Sequence, residues 1–170
     1  MTDHVDHVLA QWADQAPHLD ASPMAVVGRI KRLARIVEAE LRVTYRSHDL
    51  DAAAFDILAT LRRSRPPHRL TPAELMRASM VTSGAITQRL DRLEQRGLIT
   101  RTRGEYDARS SNVSLTDEGI AVVDKALLSN VATQDRLLAG LTRPQRDRMA
   151  KDLRSLLESL GDIDRSGELG

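Results

Sequence analysis

The sequence predicts a mostly α-helical fold that carries one short β-hairpin past its midpoint. Three observations point there. Apolar residues recur at spacings of three and four along most of the 170 residues, which is the period of a half-buried helix. Hydrophobic residues make up 41% of the chain but aromatics only 2%, so the core must be built from Leu, Ile, Val and Ala. One stretch departs from the helical period: LITRTR, then EYDARSS, then the alternating NVSLT, a short β-branched pair of runs joined through Gly104.

Each element can be justified in order. Val5, Val8, Leu9 and Trp12 share a face between Thr2 and Gln15, and Pro17 ends that helix. Ser22 and Pro23 mark a second start, from which Met24, Val27, Ile30, Leu33, Ala34, Val37 and Leu41 trace a stripe to about Thr44. Asp51 caps AAAFDILATLRR, whose expected buried side is Ala54, Ile57, Leu58 and Leu61. SRPPHR cannot continue a helix and serves as a link. Thr71, Pro72 and Glu74 form a capping box that opens a short helix to about Ser79. A second start at Thr82 or Ser83 leads into Ile86, Leu90 and Leu93 on one stripe, and Gly97 supplies a left-handed stop. After the hairpin, Thr116 starts a helix with Ile120, Val123, Leu127 and Leu128 on one side, running to Gly140. Thr142 and Gln145 make another capping box, and Met149, Leu153, Leu156, Leu157 and Leu160 run to Gly161 before a frayed tail.

Taken together, this is a winged helix-turn-helix with a two-stranded β-hairpin wing. It sits between helices whose apolar stripes exceed what a small lobe needs. The expected organisation is residues 1–50 as N-terminal dimerisation helices, 51–119 as the winged lobe, 120–162 as C-terminal dimerisation helices and 163–170 as a tail, integrated into one domain. A second copy is the economical partner for the outer helices, and C2 symmetry would set two recognition helices about 34 Å apart, one turn of duplex DNA, on a pseudo-palindrome.

The helix starting near Ser83 has a face suited to a major groove. Projected at 3.6 residues per turn, Gly84, Gln88, Asp91, Arg92 and Gln95 lie away from the stripe, with Ser83 and Thr87 on its flank. Gln pairs with adenine, Arg with guanine, and Ser or Thr with base edges or phosphate. At the wing tip Arg109 is placed to enter a minor groove, with Asp107 two residues earlier to hold it extended. Charge agrees with this reading. From Arg62 to Arg109 there are 11 Arg, no Lys and 5 acids, a net of +6, within a chain of net +1. A basic middle is flanked by segments that sum to −5, which suits phosphate binding by the middle alone.

LTPAEL, the pattern from Thr82 to Leu98 ending in RLEQRGLI, the wing DARS and VSLTDEG after it resemble the MarR family of bacterial transcriptional regulators. The resemblance covers most of the chain. It implies a winged-helix homodimer, held by the N- and C-terminal helices, whose DNA affinity is often lowered by a small molecule. The extra N-terminal helix bearing a Trp, together with FDILATLRR, looks like the branch that responds to urate and related anions. In that branch a Trp, an Asp and two Arg form the ligand site, and by position they fall on Trp12, Asp56, Arg63 and Arg101. The implied effector is a small anionic or aromatic compound, such as urate or a phenolic or organic acid, gripped by arginine and covered by Trp. Asp56 and Arg63 are seven apart, hence on one side of their helix, and Arg101 would belong to both wing and pocket.

Other classes find less support. No nucleophile with a base, no paired carboxylates and no phosphate-binding glycine loop appears, so no enzyme is expected. The absence of Cys removes disulfides and thiolate metal sites. His4 and His7 are three apart but sit in a charged terminus, and neither a metal nor a cofactor is expected. No apolar run approaches a membrane span and no signal-peptide block is seen, so the chain should be cytoplasmic and free of membrane. The residues alone also fit a protein-interaction module using the winged helix, or a MarR-type regulator without an effector. The lack of a polymerase-contacting region favours a repressor.

Overall fold

The computed structural model of the chain describes residues 2–66, 68–79, 86–103 and 111–163. Its elements are α1 (His4–Gln15), α2 (Ser22–Arg46), α3 (Ala52–Arg63), β1 (Arg69–Leu70), α4 (Pro72–Ala78), α5 (Ile86–Gln95), β2 (Ile99–Arg103), β3 (Ser111–Leu115), α6 (Asp117–Leu137) and α7 (Arg143–Ser159). The fold is mostly helical with a small antiparallel sheet, as the sequence predicts. Two compact units divide within α6, one running to Thr133 and the other beginning at Gln134.

In the first unit, α1 is closed at its start by a capping box between Asp3 and Asp6. The same two carboxylates grip Arg29 of α2, Nε to Asp3 at 2.8 Å and Nη2 to Asp6 at 2.6 Å. Val5 buries against Gly28, where a Cβ would press on it at 3.3 Å. Ser22 is a helical residue rather than a cap. Its N–H donates to the Asp20 carboxylate, so the start is signalled by Asp20 and Pro23.

The core surrounds α3. Residues Ile57 to Leu61 are all buried, as are Ala53 and Phe55, while Ala54 is only half-buried. This corrects the expectation of one buried side: α2, α4, α5 and β3 all pack on α3, so even Thr60 lies inside. Its hydroxyl has no hydrogen-bond partner, which is unusual for a buried Thr. Tyr45 stacks on Phe55 at 4.3 Å and donates to Asn130 Oδ1 at 3.0 Å. Thr44 and Thr133 hydroxyls lie 2.8 Å apart, and His48 Nε2 lies 2.9 Å from Ser129 Oγ. These three pairs form a polar seam between α6 and the end of α2 with the turn that follows it. Tyr45→Phe keeps the stack and removes one donor, leaving the Asn130 oxygen buried and unpaired. It should cost about 1–2 kcal/mol, read as a lowered urea midpoint with an unchanged slope.

The sheet has three strands in the order β1-β3-β2, not two. Arg69 and Leu70 pair with Ser114 and Val113 across β3, opposite the side where β2 pairs. A left-handed His68, φ 56°, turns the chain into β1. Two residues are too few to show a period, so the sequence alone presents this strand as part of a link.

In the second unit, Thr142 and Gln145 close the start of α7 as a capping box, and Arg146 pairs with Asp135. No residue of α7 is buried, and Leu153, Leu156, Leu157 and Leu160 all face out.

Candidate nucleic-acid interface

The candidate interface is built on α4 and α5. Thr71 Oγ1 accepts from the Glu74 N–H while the Glu74 carboxylate accepts from the Thr71 N–H, so α4 begins where its capping box says. The backbone links hold that carboxyl below its usual value. α5 buries Leu90 and Leu93, half-buries Ile86, and ends in a Schellman turn. There Gly97, φ 70°, donates to the Glu94 carbonyl at 2.8 Å and Leu98 donates to the Leu93 carbonyl at 3.0 Å. With its apolar stripe fixed inward, α5 turns Thr87, Gln88, Arg92 and Gln95 to the exterior. Gln88, Arg92 and Gln95 share one face, separated by four and three residues. Ser83, Asp107 and Arg109, the other expected DNA contacts, lie outside the described residues.

Asp91 does not belong to the open face. It is half-buried, and Arg101 of β2 reaches across to it at 2.7 Å. Arg101 also donates from Nε to Glu94 at 2.8 Å and from its backbone N–H at 3.1 Å. These hydrogen bonds hold the Glu94 carboxyl low, against the opposing effect of burial, and hold the Arg101 guanidinium high. One cation from the wing strand therefore neutralises both acids of α5, and Arg92 dominates the charge of the exposed face. Arg96 adds an anchor that the spacing did not reveal, donating to the Asp49 carbonyl at 2.7 Å.

The wing is fixed to α5 and α6 through Thr116. Its hydroxyl donates to the Gly97 carbonyl at 2.6 Å and accepts from the Gly119 N–H at 3.0 Å, while its own N–H donates to the Leu98 carbonyl. Gly119 lies against Leu98, the residue before β2, so closely that a Cβ would stand 2.9 Å from the Leu98 carbonyl carbon and nearer still to its oxygen.

The expected effector residues are distributed over three elements. Trp12 is on α1 and 40% exposed; Asp56 is half-buried on α3; Arg63 is exposed at the end of α3; Arg101 is half-buried on β2. Arg63 donates to the Ala78 carbonyl at 2.6 Å, and Arg101 is held by Asp91 and Glu94. Thr60 lies on the α3 face between Asp56 and Arg63, four residues from one and three from the other. Among the described residues no three acidic or His side chains cluster as metal ligands, and no helix is long and apolar enough to cross a membrane.

A family model described as MarR family matches residues 48–110. Over 142 residues the chain is 35% identical to the HTH-type transcriptional regulator PecS of Dickeya dadantii, spanning 84% of this chain and 86% of that protein. It is 25% identical over 152 residues to the HTH-type transcriptional repressor YetL of Bacillus subtilis, spanning 89% of this chain and 90% of that one. Among solved structures, Sco3205, a MarR family transcriptional regulator from Streptomyces coelicolor in complex with DNA, is similar with a TM-score of 0.74. The identity is 25%, over 84% of this chain and 93% of that chain.

Proposed function

This chain belongs to the MarR family of DNA-binding transcriptional regulators, and from that premise we propose that it is a ligand-responsive repressor holding a pseudo-palindromic operator as a homodimer. The observation that carries the DNA-reading part is the exposed face of α5, where Gln88 and Arg92 stand open while Arg101 neutralises Asp91 and Glu94. The repressor sign has the name of YetL in its favour. Dimerisation is supported in each unit separately. Val26 and Leu33 of α2 and Leu128 of α6 are more than half exposed in the first, and α7 presents an unburied leucine row in the second.

The proposed effector is a small planar anion of the urate type, contacted by Trp12, Asp56, Arg63 and Arg101. In its favour are the two arginines, a geometry matched to bidentate anion contacts, and the unpartnered Thr60 hydroxyl on the face shared by Asp56 and Arg63. An anion that draws Arg101 from Asp91 and Glu94 would unmask two negative charges on the recognition helix, and affinity for DNA would fall.

A duplex-binding assay tests the first part. The protein should bind its own upstream region far better than random duplex, with affinity falling steeply as salt rises. Gln88→Ala should relax preference at one base position, at roughly 1–3 kcal/mol, while Arg109→Ala should weaken all sequences alike and lower the salt slope by about 1. Equal binding to specific and random duplex would favour an interaction module instead. For the effector, urate should release the wild-type protein from DNA but fail with Asp56→Ala and Arg63→Ala. Equal release of all three would place the site elsewhere.

A further inference from the structure

A groove of about 580 Å³ runs between α1 and α2, and none of its lining residues belongs to α3, the recognition helix or the wing. Val5, Val8 and Leu9 wall it from α1, and Met24 and Val27 from α2. Its rim is different in kind. Lys31, Arg32 and Arg35 stand along one edge, all exposed, with no carboxylate or hydrogen-bond partner among the described residues. Their neighbour Arg29 shows the contrast, because Asp3 and Asp6 compensate it fully. Glu40 lines only the adjoining depression, which Arg32 and Arg35 also border.

Apolar walls beside a few convergent charges are the composition of a small-molecule site, and the volume falls in the usual range. We propose that this groove binds an amphipathic anion, a flexible apolar chain ending in a carboxylate. The chain would lie on the Val8, Leu9, Met24 and Val27 walls, with the carboxylate taken by Arg32 and Arg35 and further attracted by Lys31. Arginine suits this role because its planar fork meets a carboxylate with two parallel N–H donors. A second copy of the chain is the poorer occupant. At 100° per residue, Val26 and Leu33, two of the exposed apolar residues of α2, fall on the side opposite Met24 and Arg35, while the exposed Val27 lines the groove itself. A protein interface over this groove would also enclose three cations that have no partner among the described residues. The site is independent of the effector reading, since Asp56, Arg63 and Arg101 take no part in it.

Titration calorimetry of the full chain with decanoate, below its micellar concentration, tests the assignment. Decanoate should bind saturably, whereas butyrate, which lacks the tail, and decyltrimethylammonium, which reverses the head charge, should each bind at least about tenfold more weakly. The double variant Arg32→Gln/Arg35→Gln should keep the wild-type circular dichroism and lose about tenfold in decanoate affinity. Val8→Trp, which fills the groove, should abolish binding while Arg32 and Arg35 remain. Wild-type affinity in either variant would overturn the proposal, as would equal affinity for the cationic detergent. If the wild type binds no decanoate and Val8→Trp shifts the mass in solution from dimer to monomer, the groove is an interface between copies and the proposal is wrong.

Discussion

Gly119→Ala is expected to destabilise the DNA-binding lobe by about 3 kcal/mol or more, because the added methyl meets a backbone carbonyl rather than a movable side chain. The Leu98 carbonyl cannot retreat. It accepts from Thr116, and Leu98 itself completes the Schellman turn of α5. Relief would require the start of α6 to lift from Leu98, which pulls Thr116 away from the Gly97 carbonyl and loosens the end of the recognition helix. The check is a urea titration, in which the midpoint should fall with little change in slope. A wild-type midpoint would mean that the start of α6 can separate from Leu98 without cost. The equivalent change at Gly97 acts by another route, since nothing crowds its missing Cβ and the strain comes from its φ of 70° alone.

Arg101→Gln should lower operator affinity by about tenfold at low salt, with the loss shrinking as ionic strength rises. The substitution keeps the stem of the side chain but withdraws the only charge that spans Asp91 and Glu94 in the structure as described. Two carboxylates then face a polyanion. Adding Asp91→Asn and Glu94→Gln to the same variant should restore most of the affinity, and a full cycle of variants isolates the coupling. If Arg101→Gln binds as the wild type does and the triple variant gains nothing, these acids lie outside the field of the DNA. The pair also has a pH signature. Glu94 is held below its ordinary value, first by its hydrogen bond from Arg101, so its contribution is complete above the ordinary carboxylate range. The contribution is lost as pH falls through the lowered value in the folded protein.

Local chemistry made much of this fold legible. The Thr71 and Thr142 capping boxes, the Asp51 cap and the Gly97 stop each join residues a few positions apart, so spacing alone identifies them. The apolar stripe of α5 was readable for the same reason, and with it the exposure of Gln88, Arg92 and Gln95. What sequence could not show depends on partners distant along the chain. Asp91 projects away from the stripe on a wheel, yet β2 brings Arg101 across to it. β1 is too short for a pattern and exists because β3 offers it an edge. Gly119 resembles an ordinary residue of a first helical turn until the Leu98 carbonyl is seen beside it. α3 reads as one-sided in sequence because periodicity reports the strongest face of a helix, not how many neighbours surround it.

The seam between α2 and α6 has a mechanical consequence. Thr44 and Tyr45 of α2, and His48 in the turn after it, meet Thr133, Asn130 and Ser129 in antiparallel sequence, so the three hydrogen bonds fit only one alignment of α6 on this segment. Sliding α6 by one turn, about 5.4 Å, would break all three together and strand the buried Tyr45 and Asn130 groups in the interior. The seam acts as a detent against axial travel and leaves rolling or tilting as the softer motions. A push on the first turn of α6 would then travel along the helix as a stiff rod carries it, instead of being absorbed by slippage.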